Sequence, residues 1–397
     1  FPIKSYFQNT LSQKSHLNHQ PPNEIEKNIV TPVKKDRLAY WSKGYNGKAR
    51  SFLIQGFTYG FRIPFQGIGH FRFSDNLKSA KEIIEILKYK IKEEINSKRV
   101  GGPYLEKPFP NIQISPLGLV PKKVDLNQEP QYRVIHHLSF PEGASINDGI
   151  PETFRTVKYQ SVDDAVALIS KFGKNCLLYK LDIELAYKIV PIHPADWELL
   201  GFCIENMFYY DKTLPMGLSY SCQLFEEFSS LLHLISENKV GLASKLVHML
   251  DDFLFVGPPD MNICMKDFNK IQVLFHDIGI PIKESKTVLP CTMLTFLGIE
   301  LDSVLMIKRL PQEKLIKIRH LLQLHKNKKS ITLQELQSII GLLNFACTVV
   351  IPGRTFLPRL IDLTVGLSQS HHHRRLNKDA RADLNAWSMF VDHFNGK

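Results

Sequence analysis

The chain of 397 residues has no apolar run long enough to cross a bilayer, which argues against a helical membrane anchor and predicts no membrane partner. No signal peptide is expected from its first residues. Its six cysteines (Cys176, Cys203, Cys222, Cys264, Cys291, Cys347) form no Cys-x-x-Cys pair, which argues against a zinc or disulfide framework. Reduced, buried thiols are expected, and with them an intracellular setting, cytoplasmic and/or nuclear. Acidic residues are in deficit: 39 Asp and Glu face 50 Lys and Arg, a net charge of +11. That balance predicts a polyanionic partner, nucleic acid before anything else. Hydrophobic content of 44% with 22% charged residues is that of a folded globular chain with room for two or three packed units. A chain that starts on Phe1 instead of Met is expected to be a piece of a longer one.

What is present centres on His248-Met-Leu-Asp-Asp-Phe-Leu-Phe-Val-Gly257, where Asp251 and Asp252 interrupt an apolar, β-favouring run. The pattern predicts a strand, a tight turn at the acids and a second strand. Two unpaired carboxylates in a hydrophobic hairpin cost roughly several kcal/mol unless a cation compensates. A divalent ion with hard oxygen ligands, Mg²⁺ or Mn²⁺, does so. The alternative is an Asp-Asp turn tip lying in water. Cys176-Leu-Leu-Tyr-Lys-Leu-Asp-Ile183 reads as a buried strand ending at Asp182, either a helix N-cap or the third carboxylate of such a site.

Around these runs, residues 1–30 lack periodicity and are expected to be a disordered tail, and residues 31–100 a helical, aromatic N-terminal extension. Its aromatics (Tyr40, Trp41, Phe57, Tyr59, Phe61) suit core packing better than base stacking. Ser79 to Glu82 has capping-box spacing, and Ile84, Leu87, Ile91 and Ile95 predict a helix to about Lys98, ended by Gly101-Gly102-Pro103. Asn111–Lys123 and Gln131–Leu138 read as a hairpin carrying Lys122, Lys123 and Arg133. Helices are expected over Ser161–Phe172, from the Gly217 turn to about Ser236, over Met265–Ile278, and from Thr332. In Leu214–Phe225, Gly217 bares the backbone so that a ligand can come close, with Ser219 or Ser221 a possible N-cap. Leu294–Asp302 with Met306–Lys308 predicts another hairpin. Beyond Pro311 the chain is helical and basic, and His371-His-His-Arg-Arg375 reads as a solvated basic loop before it reads as a metal cluster.

Taken together, Asp182, the Leu214-Pro-x-Gly217 turn and Asp251-Asp252 stand in the order and spacing of a reverse transcriptase palm, and the resemblance covers almost the whole chain after the tail. Leu181–Tyr187, Leu214–Phe225, Met249–Asp252 and Gly279–Lys286 resemble its four successive motifs, and Phe296-Leu297-Gly298 its primer-grip hairpin. Arg133–Asp148, Gly56–Phe61 and Leu342–Arg354 look most like DIRS-like (tyrosine-recombinase) retrotransposons, where a ribonuclease H domain follows this region.

The resemblance implies an α+β right-hand polymerase with an antiparallel palm sheet: fingers and palm over 101–308, a thumb or connection over 309–397. It implies an RNA-directed DNA polymerase that adds deoxynucleoside triphosphates to a DNA primer on an RNA template, beside neighbouring ribonuclease H and recombinase domains. Asp182, Asp251, Asp252 and the Ile183 carbonyl would hold two metal ions, Mg²⁺ or Mn²⁺. Lys286 would donate a proton to the leaving pyrophosphate. Lys122, Lys123 and Arg133 would neutralise the triphosphate, Met216 and Gly217 would line its site, and Tyr187 would gate the 2′-position. Phe296, Leu297, Gly298, Lys328 and Lys329 would contact nucleic acid. Met216, Cys222, Met249 and His136-His137 depart from common relatives without removing a metal ligand. The alternative is a decayed or domesticated nucleic-acid-binding remnant.

Overall fold

Three leucines and a tyrosine, without a Gly or Pro, carry the backbone of Leu177–Asp182 into a strand buried along nearly its whole length. In the computed structural model, which describes residues 28–45, 47–67, 69–122, 130–326 and 328–396, this strand is the second of four in an antiparallel sheet. The order is Val288–Cys291, Leu177–Asp182, Asp252–Gly257, Lys245–Met249. Tyr179 and Phe255 stack across it with ring centroids 4.9 Å apart.

Two helices are packed with this sheet. Val162–Phe172 begins with a capping box in which the Ser161 hydroxyl and the Asp164 carboxylate each take a backbone N–H. Met261–Ile278 starts four residues before the expected Met265, because Asp260 caps it through the Ile263 N–H. Gly279 ends it with φ +87°, and a Cβ there would lie 2.1 Å from the Pro32 carbonyl, so only glycine fits. That close approach seats residues 32–41: Lys34 N–H donates to Ile278 O, while Arg37 and the Trp41 indole both donate to Asp277.

One face of the sheet, helix Val162–Phe172, the small sheet Met293–Phe296, Ile299–Asp302, Ile307–Arg309, and the helices Gln312–Lys326, Leu333–Ala346 and Lys378–His393 share one core. Leu178, Leu254, Phe296, Leu315, Leu336 and Trp387 all lie in it. Burying Phe296 fully stabilises by about 1.5–3 kcal/mol. Thr332 opens its helix with a second capping box, to Glu335. His373–Arg375 forms a strand against Ser330–Thr332, which corrects the expected loop: the imidazoles are solvated but the backbone is paired.

These elements belong to one compact unit, residues 32–54, 155–186 and 222–396; the other comprises 28–31, 55–154 and 187–221. The latter holds a five-stranded sheet in the order Arg72–Phe73, Gln113–Ile114, Gly201–Ile204, Met207–Asp211, Val100–Tyr104, and a separate ladder of Leu117–Pro121 with Tyr132–His136. The expected basic hairpin is this ladder. Phe57 and Phe61 are buried edge to face and serve packing, whereas Tyr59 is exposed.

Two expectations fail here. Gly101-Gly102-Pro103 is not a helix terminator but part of an edge strand: a Cβ on Gly101 would fall 2.2 Å from the Tyr210 ring. The helix ends earlier, at Asn96. Ser79 caps nothing; its hydroxyl accepts the Leu119 N–H of the neighbouring strand, and helix Lys78–Glu82 is broken from Ile84–Asn96 at Ile83. A tertiary partner outcompetes the local cap.

Candidate active site

The sheet register brings the acids together. Asp252 pairs with Asp182 across the central strands and with Met249 in the hairpin, which leaves Leu250 and Asp251 as a two-residue turn. Leu250 takes φ +54°, the left-handed conformation such turns require. The Ile183 N–H donates to the Asp251 carbonyl at 3.0 Å, binding the end of one acid strand to the tip of the other. On the opposite side Glu184 N–H donates to Pro281 O and Lys283 N–H to Asp182 O, an antiparallel bridge centred on Ile183 and Ile282. N–H and C=O of one extended residue point the same way, so the Ile183 carbonyl is turned toward the Asp251 turn.

Two ammonium groups answer the carboxylates. Lys286 Nζ lies 2.7 Å from Asp182 Oδ2, and Lys180 Nζ lies 2.7 Å from Asp252 Oδ1. The Lys180 contact lacks hydrogen-bond geometry, so the buried Asp252 Oδ1 has no hydrogen-bond donor. Burial opposes the charge on Lys286, but its hydrogen bond to Asp182 and the nearby Asp251 and Asp252 raise its pKa above that of an ordinary lysine. Burial, then the charges of Asp182 and Asp252, push the Asp251 carboxyl above the ordinary range.

Among the described residues no three His, Cys, Asp or Glu side chains are closed into a ready metal-ligand set. The donor chemistry nonetheless fits a hard divalent cation: three carboxylates meet at the ends of the two central strands, Asp252 Oδ1 has an ammonium beside it but no hydrogen-bond donor, and burial with like charge weighs on Asp251.

The substrate candidates lie in the other unit. Arg133 is exposed on its strand opposite Val120, Lys122 is exposed at the end of the ladder, and Lys123 lies outside the described residues. Tyr187 is half-buried in the short turn Ala186–Ile189. Met216 is exposed.

The close approach at Gly217 is made by the protein itself. A Cβ there would fall 1.7 Å from the His136 carbonyl, so the glycine seats its turn against strand Tyr132–His136. Asn147 locks the same junction, donating to Gly217 O at 2.9 Å and accepting from Ser219 N–H at 2.8 Å. Ser219 and Ser221 do not cap the following helix, Ser221–Lys239, with their hydroxyls; Ser221 Oγ donates to Pro215 O at 2.6 Å.

In the small sheet Leu297 (φ +47°) and Gly298 (φ +76°) form a half-exposed turn tip, but Phe296 is fully buried. The side-chain period of two points Phe296 at the core, which corrects its placement among nucleic-acid contacts. Lys329 is exposed, whereas Lys328 donates to Glu335 at 2.6 Å.

Sequence reasoning missed Lys180, Asn147, Glu226 and Ser229. Lys180 could have been noticed as the one cation in an apolar strand. The other three carry no local signal, because their partners are distant in the chain.

Residues 122–301 match the profile of the family Reverse transcriptase (RNA-dependent DNA polymerase). The chain is 24% identical over 231 residues to the Gag-Pro-Pol polyprotein of Mason-Pfizer monkey virus, covering 54% of this chain and 12% of that one. It is 27% identical over 139 residues to the genome polyprotein of Petunia vein clearing virus, covering 35% and 6%. The chain thus spans a small fraction of these relatives. Among solved structures, the foamy viral protease-reverse transcriptase dRH in complex with double-stranded DNA aligns with TM-score 0.62 and 16% identity over 95% of this chain and 63% of that one. The same enzyme with an RNA/DNA hybrid aligns with TM-score 0.62 and 16% identity, over 95% and 48%. The fold is the α+β right-hand polymerase. The chain carries, over residues 122–301, a reverse transcriptase domain of the retroviral and retroelement type.

Proposed function

We propose that the chain is an RNA-directed DNA polymerase of a retrotransposon, most similar to the DIRS-like group, which extends a DNA primer on an RNA template with deoxynucleotides. The observation that carries this reading is the Asp182–Asp252 register with Asp251 at the adjoining turn. The DIRS-like assignment rests on Arg133–Asp148, Gly56–Phe61 and Leu342–Arg354. Residues 101–308 act as fingers and palm and 309–397 as thumb, and the element's ribonuclease H and recombinase domains are its partners. An intracellular location, cytoplasmic or nuclear, fits a chain with six free thiols among its described residues and, among them, no helix long and apolar enough to cross a membrane.

Asp182, Asp251, Asp252 and the Ile183 carbonyl would hold two Mg²⁺ or Mn²⁺ ions, which when bound neutralise the α-phosphate and the attacking and leaving oxygens. The chain's own residues supply the rest. Lys286 keeps its proton because three carboxylates surround it, and delivers it to the leaving pyrophosphate. Arg133 and the lysines 122 and 123 pair with the triphosphate, the guanidinium through two parallel hydrogen bonds. The Met216-Gly217 turn, held by Asn147, borders the nucleotide. The Tyr187 ring crowds a 2′-hydroxyl. Leu297, Gly298 and Lys329 meet the template–primer.

Primer extension on an RNA template, scanned over Mg²⁺ and Mn²⁺, tests the reading. Metal-dependent extension with deoxynucleotides is expected. Salt-sensitive duplex binding without extension under any metal would replace it with the decayed, nucleic-acid-binding remnant.

A further inference from the structure

The turn that presents Asp251 is held from outside the sheet. Helix Ser221–Lys239 sends two side chains, one turn apart on one face, to the two polar groups of a single residue. Glu226 Oε2 accepts the Leu250 N–H at 2.9 Å, and Ser229 Oγ donates to the Leu250 carbonyl at 2.8 Å. Both side chains are buried, Ser229 completely. The other Glu226 oxygen faces His248 Nε2 at 3.3 Å, in the strand that leads into the turn.

Leu250 needs this grip. Its φ of +54° is disfavoured for a residue with a branched apolar side chain, and a two-residue turn has no third peptide to absorb the strain. A carboxylate accepting a buried backbone N–H is a strong, charge-assisted contact. With both polar groups of Leu250 tied, the direction in which the chain leaves toward Asp251 is set.

We propose that Glu226 and Ser229 are positioning residues of the polymerase site: they fix the Leu250 peptide and through it the orientation of the Asp251 carboxylate. The inference rests on Asp182, Asp251 and Asp252 being that site, and it adds two residues of the helix to the machinery. They touch neither nucleotide nor primer; they act through the turn. A side chain displaced by about 1 Å from its productive position costs on the order of 100-fold in rate.

The test compares Glu226→Ala, Glu226→Gln, Ser229→Ala and Ser229→Thr in primer extension, with melting temperature and amide exchange of peptides spanning 245–257. Glu226→Ala should lower kcat by about 100-fold with KM for the deoxynucleotide nearly unchanged, and Ser229→Ala by about 10-fold. Glu226→Gln keeps an acceptor and Ser229→Thr keeps a hydroxyl, so each should recover most of the loss. Exchange in 245–257 should quicken in both alanine variants. Extension by Glu226→Ala at the wild-type rate would overturn the proposal. So would a loss that follows melting temperature and is not recovered by the conservative variants. Should the wild type itself fail to extend, the polymerase reading fails, and exchange alone decides the grip: faster exchange in Glu226→Ala upholds it, unchanged exchange overturns it.

Discussion

Two carboxylates, one buried in one unit and one half-buried in the other, are treated in opposite ways. Asp211 is fully enclosed, and burial alone would raise its pKa. Lys188, 3.2 Å away, and His136, 3.0 Å away, more than offset that and hold the carboxyl below its ordinary range. Asp251 is buried less completely, yet burial, then the like charges of Asp182 and Asp252, raise its pKa, and Lys286 offsets them only in part. The first acid is satisfied from within the fold, as a structural ion pair must be. The second keeps a raised pKa in spite of Lys286, a perturbed acid of the kind that clusters at functional sites.

The sharpest way to break the contrast is to neutralise each acid. Asp251→Asn should reduce primer extension by about 1,000-fold or more, as loss of one member of a catalytic unit does. Template–primer binding should stay within about twofold, because phosphate contacts set it. Its melting temperature in metal-free buffer should be no lower than wild type, since a repelled charge has gone. A parallel fall in melting temperature would mean that Asp251 is structural after all. Asp211→Asn should do the reverse. It strands the Lys188 charge beside a buried site and should cost about 3–5 kcal/mol in urea denaturation.

Acidity sharpens the comparison further. A carboxyl with a raised folded-state pKa is favoured protonated, so metal-free protein loses stability from Asp251 as pH climbs from 3.8 through that raised value. Asp211, held below 3.8, adds stability that is present above 3.8 and is lost as pH falls through its lowered pKa. The melting-temperature advantage of Asp251→Asn over wild type should therefore grow with pH across its window, and Mg²⁺ or Mn²⁺ should cancel it. The deficit of Asp211→Asn should shrink only in strong acid. Identical pH profiles for the two variants would erase the distinction.

Smaller effects follow the same logic of internal against external partners. Tyr187→Ala should raise ribonucleotide incorporation by about tenfold, the scale of discrimination by one steric contact; an unaltered sugar preference would remove the gate. Lys329→Ala should flatten the salt dependence of duplex binding by about one unit of slope. Lys328→Ala should change it less, since Glu335, whose carboxyl Lys328 and the Thr332 N–H hold down at about 2, already takes that charge. Equal slopes for the two variants would place both lysines on the backbone.

How far the chain could be read in advance depends on how local each signal is. Strand Leu177–Asp182, the hairpin around Asp251, the helix after Ser161 and the ladder bearing Arg133 were legible because apolar, β-favouring runs, helical spacing of apolar residues and clustered turn residues act within a few positions. The three acids were legible for the same reason: carboxylates in apolar strands demand explanation wherever they occur. What the tertiary structure decided is partnership. It alone turned Ser79 from a cap into an acceptor for Leu119, drew Gly101-Gly102-Pro103 into a strand and set Gly217 against His136. It buried Phe296, divided Lys328 from Lys329, and placed Glu226 and Ser229 on the Leu250 peptide. Each is a choice between a local contact and a distant one. A hydrogen-bonding group takes whichever partner the folded backbone brings within about 3 Å, and that distance is a property of the packed chain.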